Sequence, residues 1–425
     1  MRLFGRTAPL SQLLPRSALK WIGWSLLVII FMTGFFFRFA PATLSAGIQA
    51  DLQLSATALG LVASMHFWVY TAMQVPAGLL VDSLGLRRAG LLGGAITALG
   101  AWIFGTAAGL PALIWGTGLM GMGLSAVFVS LMKYNTLWFR PERHSVAMGA
   151  TMLLAALGSM LAESPTALLL TWFDWSQIVL VLAVLTTAVT LGLLLACQES
   201  PLIFPSTSSS DLPPASRRLE LLRSSLVILR QRQLWLLFAC VGATNGSLYA
   251  FLGLWAVPLL SDAMGVSHAT AALYPTLALF VYALGLLFCG WYADYLQLRR
   301  PIILVAGALS AAVWGMLALA PWQPGIGAFI LFGLLGFSGS HVAVIFALAK
   351  ESVSATSVGF AIALVNMGAF LVAAIVQVVF GSMLDAALGG GASAQEAYRL
   401  ALLLPFVLSA LGCLAALGVR ETGQG

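Results

Sequence analysis

The sequence predicts an all-α integral membrane protein in which twelve transmembrane helices form two similar six-helix halves. Three observations support this prediction: an apolar composition, twelve apolar segments, and a short motif that occurs twice. Sixty per cent of the 425 residues are hydrophobic and 8% are charged, whereas a soluble domain carries roughly 25% charged residues. Because so apolar a chain has too little polar surface to face water, we expect its surroundings to be a lipid bilayer.

The apolar segments justify the helices in order. About 20 apolar residues span the hydrocarbon of a bilayer, and the first segment is too long for the core of a signal peptide, so it counts as a retained helix. A Pro- and Ser-rich stretch with a basic end predicts a cytoplasmic loop at 198–232 between an N-terminal bundle at 1–197 and a C-terminal bundle at 233–425. The predicted spans are 20–46, 57–81, 89–109, 111–138, 145–170, 177–197, 233–260, 268–293, 301–320, 325–349, 355–384 and 397–419.

A motif of one aspartate and two arginines occurs in both halves. Residues 78–88 read GLLVDSLGLRR, and residues 290–300, which lie 212 positions further on, read GWYADYLQLRR. Two glycines spaced by nine follow in the fifth and eleventh segments, at an offset of 210. Equal spacing at nearly equal offset indicates an internal duplication, and small residues of this kind let membrane helices approach closely. The glycine pairs are Gly149 with Gly158 and Gly359 with Gly368.

The basic residues predict the orientation of the chain. Most of the 20 lysines and arginines lie in the N-terminal region, the even-to-odd connections, the central loop and the C-terminal tail. Cytoplasmic loops of membrane proteins are enriched in Lys and Arg, so we expect these connections and both termini to be cytoplasmic, in a cell inner membrane. The net charge of +6 follows from this topology and does not indicate a nucleic-acid partner.

The doubled motif resembles the cytoplasmic signature of the major facilitator superfamily, whose copies lie between helices two and three and between helices eight and nine. The resemblance covers nearly the whole chain. It implies the fold of that family, a central cavity lined by helices one, four, seven and ten, and a cytoplasmic gate. The second copy has Gln297 where the first has Gly85, so its turn is expected to differ. The implied gating residues are Gly78, Asp82, Arg87, Arg88, Asp294, Arg299 and Arg300.

Three charged residues within predicted spans have no counterpart in the other half: Arg38 in the first, Lys133 in the fourth and Glu163 in the fifth. A charge in hydrocarbon is costly and marks a pathway or a site by default. Arg38 and Lys133 are the candidates for binding an acidic group of a solute; the alternative for both is that the long side chain reaches the membrane interface. Glu163 is the candidate for proton coupling, and its alternative is a structural ion pair with Arg38.

Neutral polar side chains give a second set of candidates. His66, Tyr70 and Gln74 are spaced by four, so they share one helix face. A histidine near the midplane relays protons near neutral pH or makes a packing hydrogen bond, and we assign His66 to proton coupling with Glu163. The resemblance places helices seven and ten at the cavity, which adds three substrate-binding candidates by position alone: Asn245, Tyr249 and His341.

Together these features predict a secondary active transporter of a small organic anion or zwitterion, working by alternating access as a proton symporter. The sequence contains no Walker A motif, catalytic motif or paired metal ligands, so neither an enzyme nor a cofactor is expected. One alternative is a proton-driven exporter of a siderophore-like or drug-like compound; another is a non-transporting membrane sensor. The expected partners are the solute, protons and the lipid bilayer, and we expect a monomer.

Overall fold

A computed structural model describes residues 16–139, 141–196, 229–354 and 358–421. All regular secondary structure within these residues is helical. Eleven of the described helices are long and apolar enough to cross a membrane, and a pair of helices bent by 56° would form a twelfth span. The predicted fold class is therefore confirmed.

The first six predicted spans correspond to eight helices, because two spans are interrupted. The second span consists of α2 and α3, and the fifth consists of α6 and α7. Pro76 and Pro165 lie in the first turns of α3 and α7, where a missing N–H group costs no intrahelical hydrogen bond. The helices are α1 Arg16–Leu52, α2 Ala56–Ala72, α3 Gln74–Leu84, α4 Leu86–Gly105, α5 Leu110–Trp138, α6 Pro141–Leu161, α7 Ser164–Leu169 and α8 Trp175–Ala196.

The last six predicted spans contain two breaks and three π-helical turns. The eighth span consists of α10 and α11, which are separated by Ala272. The tenth span consists of α13 and α14, which are separated by Ser340 and His341. The π turns, Gly242–Gly246, Phe251–Trp255 and Leu259–Ala263, all lie in α9, and such turns frequently occur at functional sites. The helices are α9 Arg232–Ala263, α10 His268–Ala271, α11 Leu273–Leu296, α12 Arg300–Leu319, α13 Ile326–Gly339, α14 Val342–Glu351, α15 Val358–Gly389 and α16 Ala394–Leu417.

The helices form two compact units. The first contains the described residues up to Leu54 and from Met65 to the end of α8, and the second contains Ser55–Ser64 and the described residues from 229 onward. The units differ from the predicted halves at one place, because Ser55–Ser64, at the start of α2, packs with the second unit. The predicted cytoplasmic loop falls almost entirely on residues 197–228, outside the described residues.

Asp385, near the end of α15, holds the start of α2 in the second unit. Its carboxylate accepts hydrogen bonds from the backbone N–H groups of Ala56 and Thr57, at 3.0 and 2.8 Å, and from the Thr57 hydroxyl at 2.5 Å. The first N–H groups of a helix have no partner inside it. Asp385 therefore caps α2 from a distant part of the chain, as a local N-cap residue does elsewhere.

Two glycines let the start of α2 lie directly against α15. A Cβ at Gly60 would lie 2.3 Å from the Gln377 carbonyl oxygen, and one at Gly381 would lie 2.5 Å from that of Ala56. Both distances are shorter than any van der Waals contact. The two backbones therefore approach this closely only because neither residue has a side chain.

The duplicated glycines make equivalent contacts in the two units. A Cβ at Gly158 would lie 2.3 Å from the Met32 carbonyl oxygen of α1, and one at Gly368 would lie 2.5 Å from the Phe238 carbonyl oxygen of α9. The close helix approach expected at these positions is therefore present in both units. Gly149 differs, since a Cβ there would meet nothing within 4 Å; the surroundings of Gly359 lie outside the described part.

Large apolar side chains lie on the outside of the helices. Ile326 is 82% exposed, Leu287 73% and Trp172 69%. Surfaces of soluble monomers rarely present apolar patches of this kind, whereas a bilayer solvates them. Because the outer surface is apolar, buried polar side chains are the candidates for a functional site.

Candidate functional site

Arg38 lies on α1 and is only 4% exposed. Three aromatic rings surround its guanidinium group: Cζ lies 4.5 Å from the ring centre of Phe35, 5.0 Å from that of Tyr70 and 5.8 Å from that of Phe67. Contacts between a cation and ring faces are strongest when the cation is shielded from water. Because Phe67 and Tyr70 belong to α2, the first two helices together hold this cation.

Polar side chains complete the group around Arg38. The His66 ring stacks on the Tyr70 ring, with 6.4 Å between the ring centres and 12° between the planes. His66 is 1% exposed, and neither of its ring nitrogens has a hydrogen-bond partner among the described residues. The spacing of four thus brings His66 and Tyr70 to Arg38, whereas Gln74 begins α3, beyond the end of α2. We refer to Arg38, Phe35, His66, Phe67 and Tyr70 as the Arg38 cluster.

Glu163 lies between α6 and α7 and is fully buried. Its Oε2 accepts a hydrogen bond from the Thr43 hydroxyl at 3.0 Å, whereas Oε1 has no hydrogen-bond partner in the described part of the chain. The backbone of Glu163 leaves helical geometry, with φ −95° and ψ −107°, and Pro165 starts the next helix. The break therefore places a carboxyl group inside the first unit with one hydroxyl as its partner.

Helix α1 connects Glu163 to the Arg38 cluster. Thr43 follows Arg38 by five residues, and Pro41 lies between them inside the helix. The alternative of a structural ion pair between Glu163 and Arg38 is not observed among the described residues. Arg38 and Glu163 are therefore linked through one helix rather than through a direct contact.

Lys133, on α5, contacts the doubled motif rather than the Arg38 cluster. Its Nζ lies 2.8 Å from Asp82 Oδ1 and 3.4 Å from the Val81 carbonyl oxygen. The lysine side chain is 35% exposed and that of Asp82 76%, so this is a surface ion pair of small intrinsic strength. A substrate-binding candidate and a gating candidate, which the sequence treats separately, are thus joined.

Each copy of the motif contacts the last helix of its unit, but through arginines at adjacent motif positions, since the equivalent of Arg87 is Arg299. Arg87 Nη2 donates to the Leu194 carbonyl oxygen near the end of α8, at 2.7 Å. Arg300 Nη2 donates to the Leu417 carbonyl oxygen at the end of α16, at 3.0 Å. Each places a cation at the C-terminus of the last helix of its unit, where the helix dipole favours positive charge. Arg88, in contrast, is exposed.

The motif supplies the anion of an ion pair in the first unit and the cation of an ion pair in the second. Asp82 supplies a carboxylate to Lys133 in the first, whereas Arg299 Nη2 lies 3.3 Å from Glu351 Oε1 in the second. The backbone N–H groups of Arg299 and Arg300 donate to the Glu421 carboxylate at 2.5 and 2.9 Å. Glu421 thus caps α12.

The turns of the two motif copies differ, as expected. Gly85 has φ 82° and ψ 159°, while Gln297 has φ 54° and ψ 24°. Both residues have a positive φ, but their ψ angles differ, so the chain continues in different directions after them. A Cβ at Gly78 would meet nothing within 4 Å, so packing does not require that glycine. Asp294 lies on α11, and its side chain is outside the described residues.

The candidates of the second unit gather near the break between α13 and α14. Asn245, in the first π turn of α9, donates from Nδ2 to the carbonyl oxygen of Gly339, the last residue of α13, at 3.0 Å. The hydroxyl of Tyr249 lies 2.8 Å from that of Tyr282 on α11. His341 is fully buried, and its Nδ1 lies 2.6 Å from the carbonyl oxygen three residues earlier. The break is therefore lined by side chains from several helices.

Sequence reasoning missed Thr43, Tyr282 and Asp385. A single hydroxyl in an apolar span carries no charge and no distinctive spacing, so nothing marks Thr43 or Tyr282. Asp385 carried a usable signal, because a carboxylate at the end of a predicted span needs a partner. Its partners, however, are backbone N–H groups more than 300 residues away, which no sequence pattern identifies.

Comparison with known proteins gives the family. The model of the Major Facilitator Superfamily matches residues 26–377. The chain is 30% identical over 156 residues to the uncharacterized transporter YybO of Bacillus subtilis. This alignment covers 37% of the present chain and 36% of YybO. It is 22% identical over 386 residues to the probable sulfoacetate transporter SauU of Cupriavidus necator, with 88% and 87% covered. A galacturonate transporter of Dickeya chrysanthemi is 25% identical over 233 residues, with 51% and 65% covered.

The alignments with YybO and the galacturonate transporter span less than two thirds of those proteins. Among solved structures, a bacterial homologue of the human lysosomal transporter Spinster superimposes with a TM-score of 0.78 at 16% identity, covering 95% of this chain and 98% of that one. This likeness shows the fold, while the family model extends over most of the sequence. The chain therefore belongs to the Major Facilitator Superfamily and is a multi-pass membrane transporter rather than an enzyme.

Proposed function

We propose that this protein is a proton-coupled secondary transporter of a small organic anion, working by alternating access as a monomer in the cell inner membrane, with both termini cytoplasmic. Two relatives are named for the transport of such anions, sulfoacetate and galacturonate. The alignment with the sulfoacetate transporter extends over most of both chains. These names support an anionic solute, whose identity depends on the side chains of the binding site.

The observation that carries the proposal is the Arg38 cluster. A guanidinium group that is 4% exposed within a membrane helix is expensive, and residues of this kind mark solute pathways. Guanidinium groups match the geometry of carboxylate and sulfonate oxygens with two parallel N–H bonds. His66, beside it, keeps two buried ring nitrogens without a hydrogen-bond partner among the described residues. The cluster thus supplies charge and hydrogen-bonding groups for an acidic solute.

Lys133 is assigned the second cationic role. Because its present partner Asp82 is 76% exposed, little free energy holds the pair together. Lys133 can therefore exchange Asp82 for an anionic solute at modest cost. Such an exchange would connect solute binding with the gating motif.

Glu163, with His66, is assigned to proton coupling. Its carboxyl group has the Thr43 hydroxyl as partner and a vacant Oε1 within the described residues. Binding a proton at Oε1 neutralises the group, and releasing it restores a charge that the surroundings do not balance locally. That exchange is the chemistry that a proton-coupled carrier requires, and the link through α1 gives it a route to Arg38.

Uptake measurements in proteoliposomes with an imposed proton gradient test both roles. Arg38→Ala should reduce kcat/KM for an anionic substrate on the order of 100-fold, as expected for losing a buried charged contact. The kcat/KM of Arg38→Lys should lie between those of the wild type and Arg38→Ala, because lysine keeps the charge but lacks the planar guanidinium group. Glu163→Gln should abolish gradient-driven accumulation while solute counterflow continues.

Two results would contradict these assignments. Normal uptake by Arg38→Ala at wild-type expression excludes the anion site. Equal loss of accumulation and counterflow in Glu163→Gln makes Glu163 structural. Outward movement of a lipophilic compound against its gradient, with no anion uptake, would support an exporter instead.

A further inference from the structure

The break in the tenth span is stabilised by side chains of the second unit. α13 ends at Gly339 and α14 begins at Val342, so carbonyl groups at the break lose their helical partners. Asn245 supplies one replacement by donating to the Gly339 carbonyl oxygen at 3.0 Å. Irregular backbone at membrane depth is tolerated only where such replacements exist or where it lines a cavity.

A third helix also reaches the break. Cys289 Sγ on α11 lies 3.2 Å from Ser340 Oγ. A Cβ at Gly285 would lie 2.6 Å from that same oxygen, so α11 approaches the break directly. Side chains from α9 and α11 therefore fix the position of the backbone that carries His341.

The tautomer of His341 follows from its one hydrogen bond. Nδ1 lies 2.6 Å from the Ser338 carbonyl oxygen. A carbonyl oxygen only accepts hydrogen bonds, so Nδ1 carries the proton, and Nε2 of the neutral ring is an acceptor. The ring is fully buried, and Nε2 has no hydrogen-bond partner among the described residues.

A buried acceptor without a donor is unusual, because most buried polar atoms are hydrogen-bonded. The missing donor is an O–H or N–H group, since Nε2 of the neutral ring offers a lone pair. Discontinuous helices form solute sites in many membrane transporters. Access to Nε2 requires the surrounding helices to move, as they must in any alternating-access cycle.

We propose that His341 Nε2 accepts a hydrogen bond from a hydroxyl group of the transported anion, so that the protein selects hydroxy acids over the same acids lacking that hydroxyl. This inference rests on the proposed function, in which the transported solute is a small organic anion.

Binding of matched acids to the purified full-length protein tests this selectivity. The probes are lactate with propionate, malate with succinate, and D-galacturonate with its 4-deoxy analogue. Wild-type protein should bind at least one hydroxy acid on the order of 10-fold more tightly than its partner, the usual effect of leaving a buried polar group unpaired.

Two substitutions separate recognition from structure. His341→Asn keeps a donor near the Nδ1 position and removes Nε2, so the 10-fold preference should fall to about onefold while affinity for the deoxy acid is unchanged. His341→Gln, which can place an amide oxygen near the Nε2 position, should retain part of the preference. Thermal unfolding midpoints of both variants should match that of the wild type.

Several outcomes would overturn the inference. Equal binding within every pair by the wild type means that another donor, such as a water molecule, pairs with Nε2. Equal loss of both members of a pair in His341→Asn, with a lowered unfolding midpoint, gives His341 a structural role. In both cases acids still bind, and Arg38→Ala still weakens that binding on the order of 100-fold, so the proposed function survives. If no acid binds, the proposed function fails and this inference fails with it.

Discussion

Removing the carboxylate of Asp385 should destabilise the second unit by a predictable amount. Asp385→Ala deletes the acceptor for two backbone N–H groups and one hydroxyl at the start of α2. Loss of a helix cap costs about 1 kcal/mol, and the loss of a charge near the helix N-terminus adds roughly 0.3–1 kcal/mol. We therefore expect the free energy of unfolding to fall by about 1–2 kcal/mol, with the lower part of this range favoured because Asp385 is partly exposed.

Asp385→Asn should have a smaller effect, since its amide keeps one acceptor oxygen. Thr57→Val removes only the hydroxyl donor, and because it shares Asp385 as its partner, its effect should not add to that of Asp385→Ala. Ser382→Ala is the matched control: Ser382 lies three residues earlier on α15, is exposed, and donates only to the Val379 carbonyl oxygen of its own helix. Its substitution should leave stability unchanged.

Thermal or denaturant unfolding of the purified protein in detergent measures these differences. The expected order of stability is wild type and Ser382→Ala, then Asp385→Asn, then Asp385→Ala. The reasoning is refuted if Asp385→Ala unfolds like the wild type, or if Thr57→Val destabilises the Asp385→Ala background as much as the wild-type protein. Either result means that Asp385 does not cap α2.

Two further predictions concern the duplicated features. Gly158→Ala and Gly368→Ala should each reduce stability by about 1–3 kcal/mol, because the added Cβ would overpack a helix contact at 2.3 or 2.5 Å from a carbonyl oxygen, whereas Gly149→Ala should be neutral; equal unfolding midpoints for all three would show that these helices shift apart freely. Asp82→Asn should change stability by less than about 1 kcal/mol, since it breaks an exposed pair with Lys133, yet it should alter transport; unchanged uptake kinetics would separate that pair from the transport cycle.

The sequence was sufficient for features that depend on periodicity or repetition. Twelve apolar stretches predict the spans, and the spacing of four predicts that His66 and Tyr70 share a face, where the structure stacks them. The glycine repeat predicts close helix contacts, which Gly158 and Gly368 make. Each of these follows from residues whose relation is set within one helix or by the duplication.

Features that depend on contacts between distant residues could not be predicted. The partner of Lys133 is Asp82, 51 residues away, and choosing it over the Arg38 cluster requires knowing how α3 packs on α5. The break at His341 likewise depends on Asn245 reaching across from another helix. No proline marks that break, where the Asn245 side chain replaces a backbone hydrogen bond at the Gly339 carbonyl oxygen.

The π turns of α9 have a consequence for how the two halves correspond. Matching contacts pair Met32 with Phe238, 206 positions apart, whereas Gly78 and Gly290 of the motif are 212 apart. The second copy is therefore six residues longer over this stretch. A π turn accommodates one extra residue in a helix, so the three in α9 account for half of that difference. A constant offset consequently misaligns the copies, and counting from the matched contacts places the equivalent of Arg38 within the first π turn of α9, which contains Asn245.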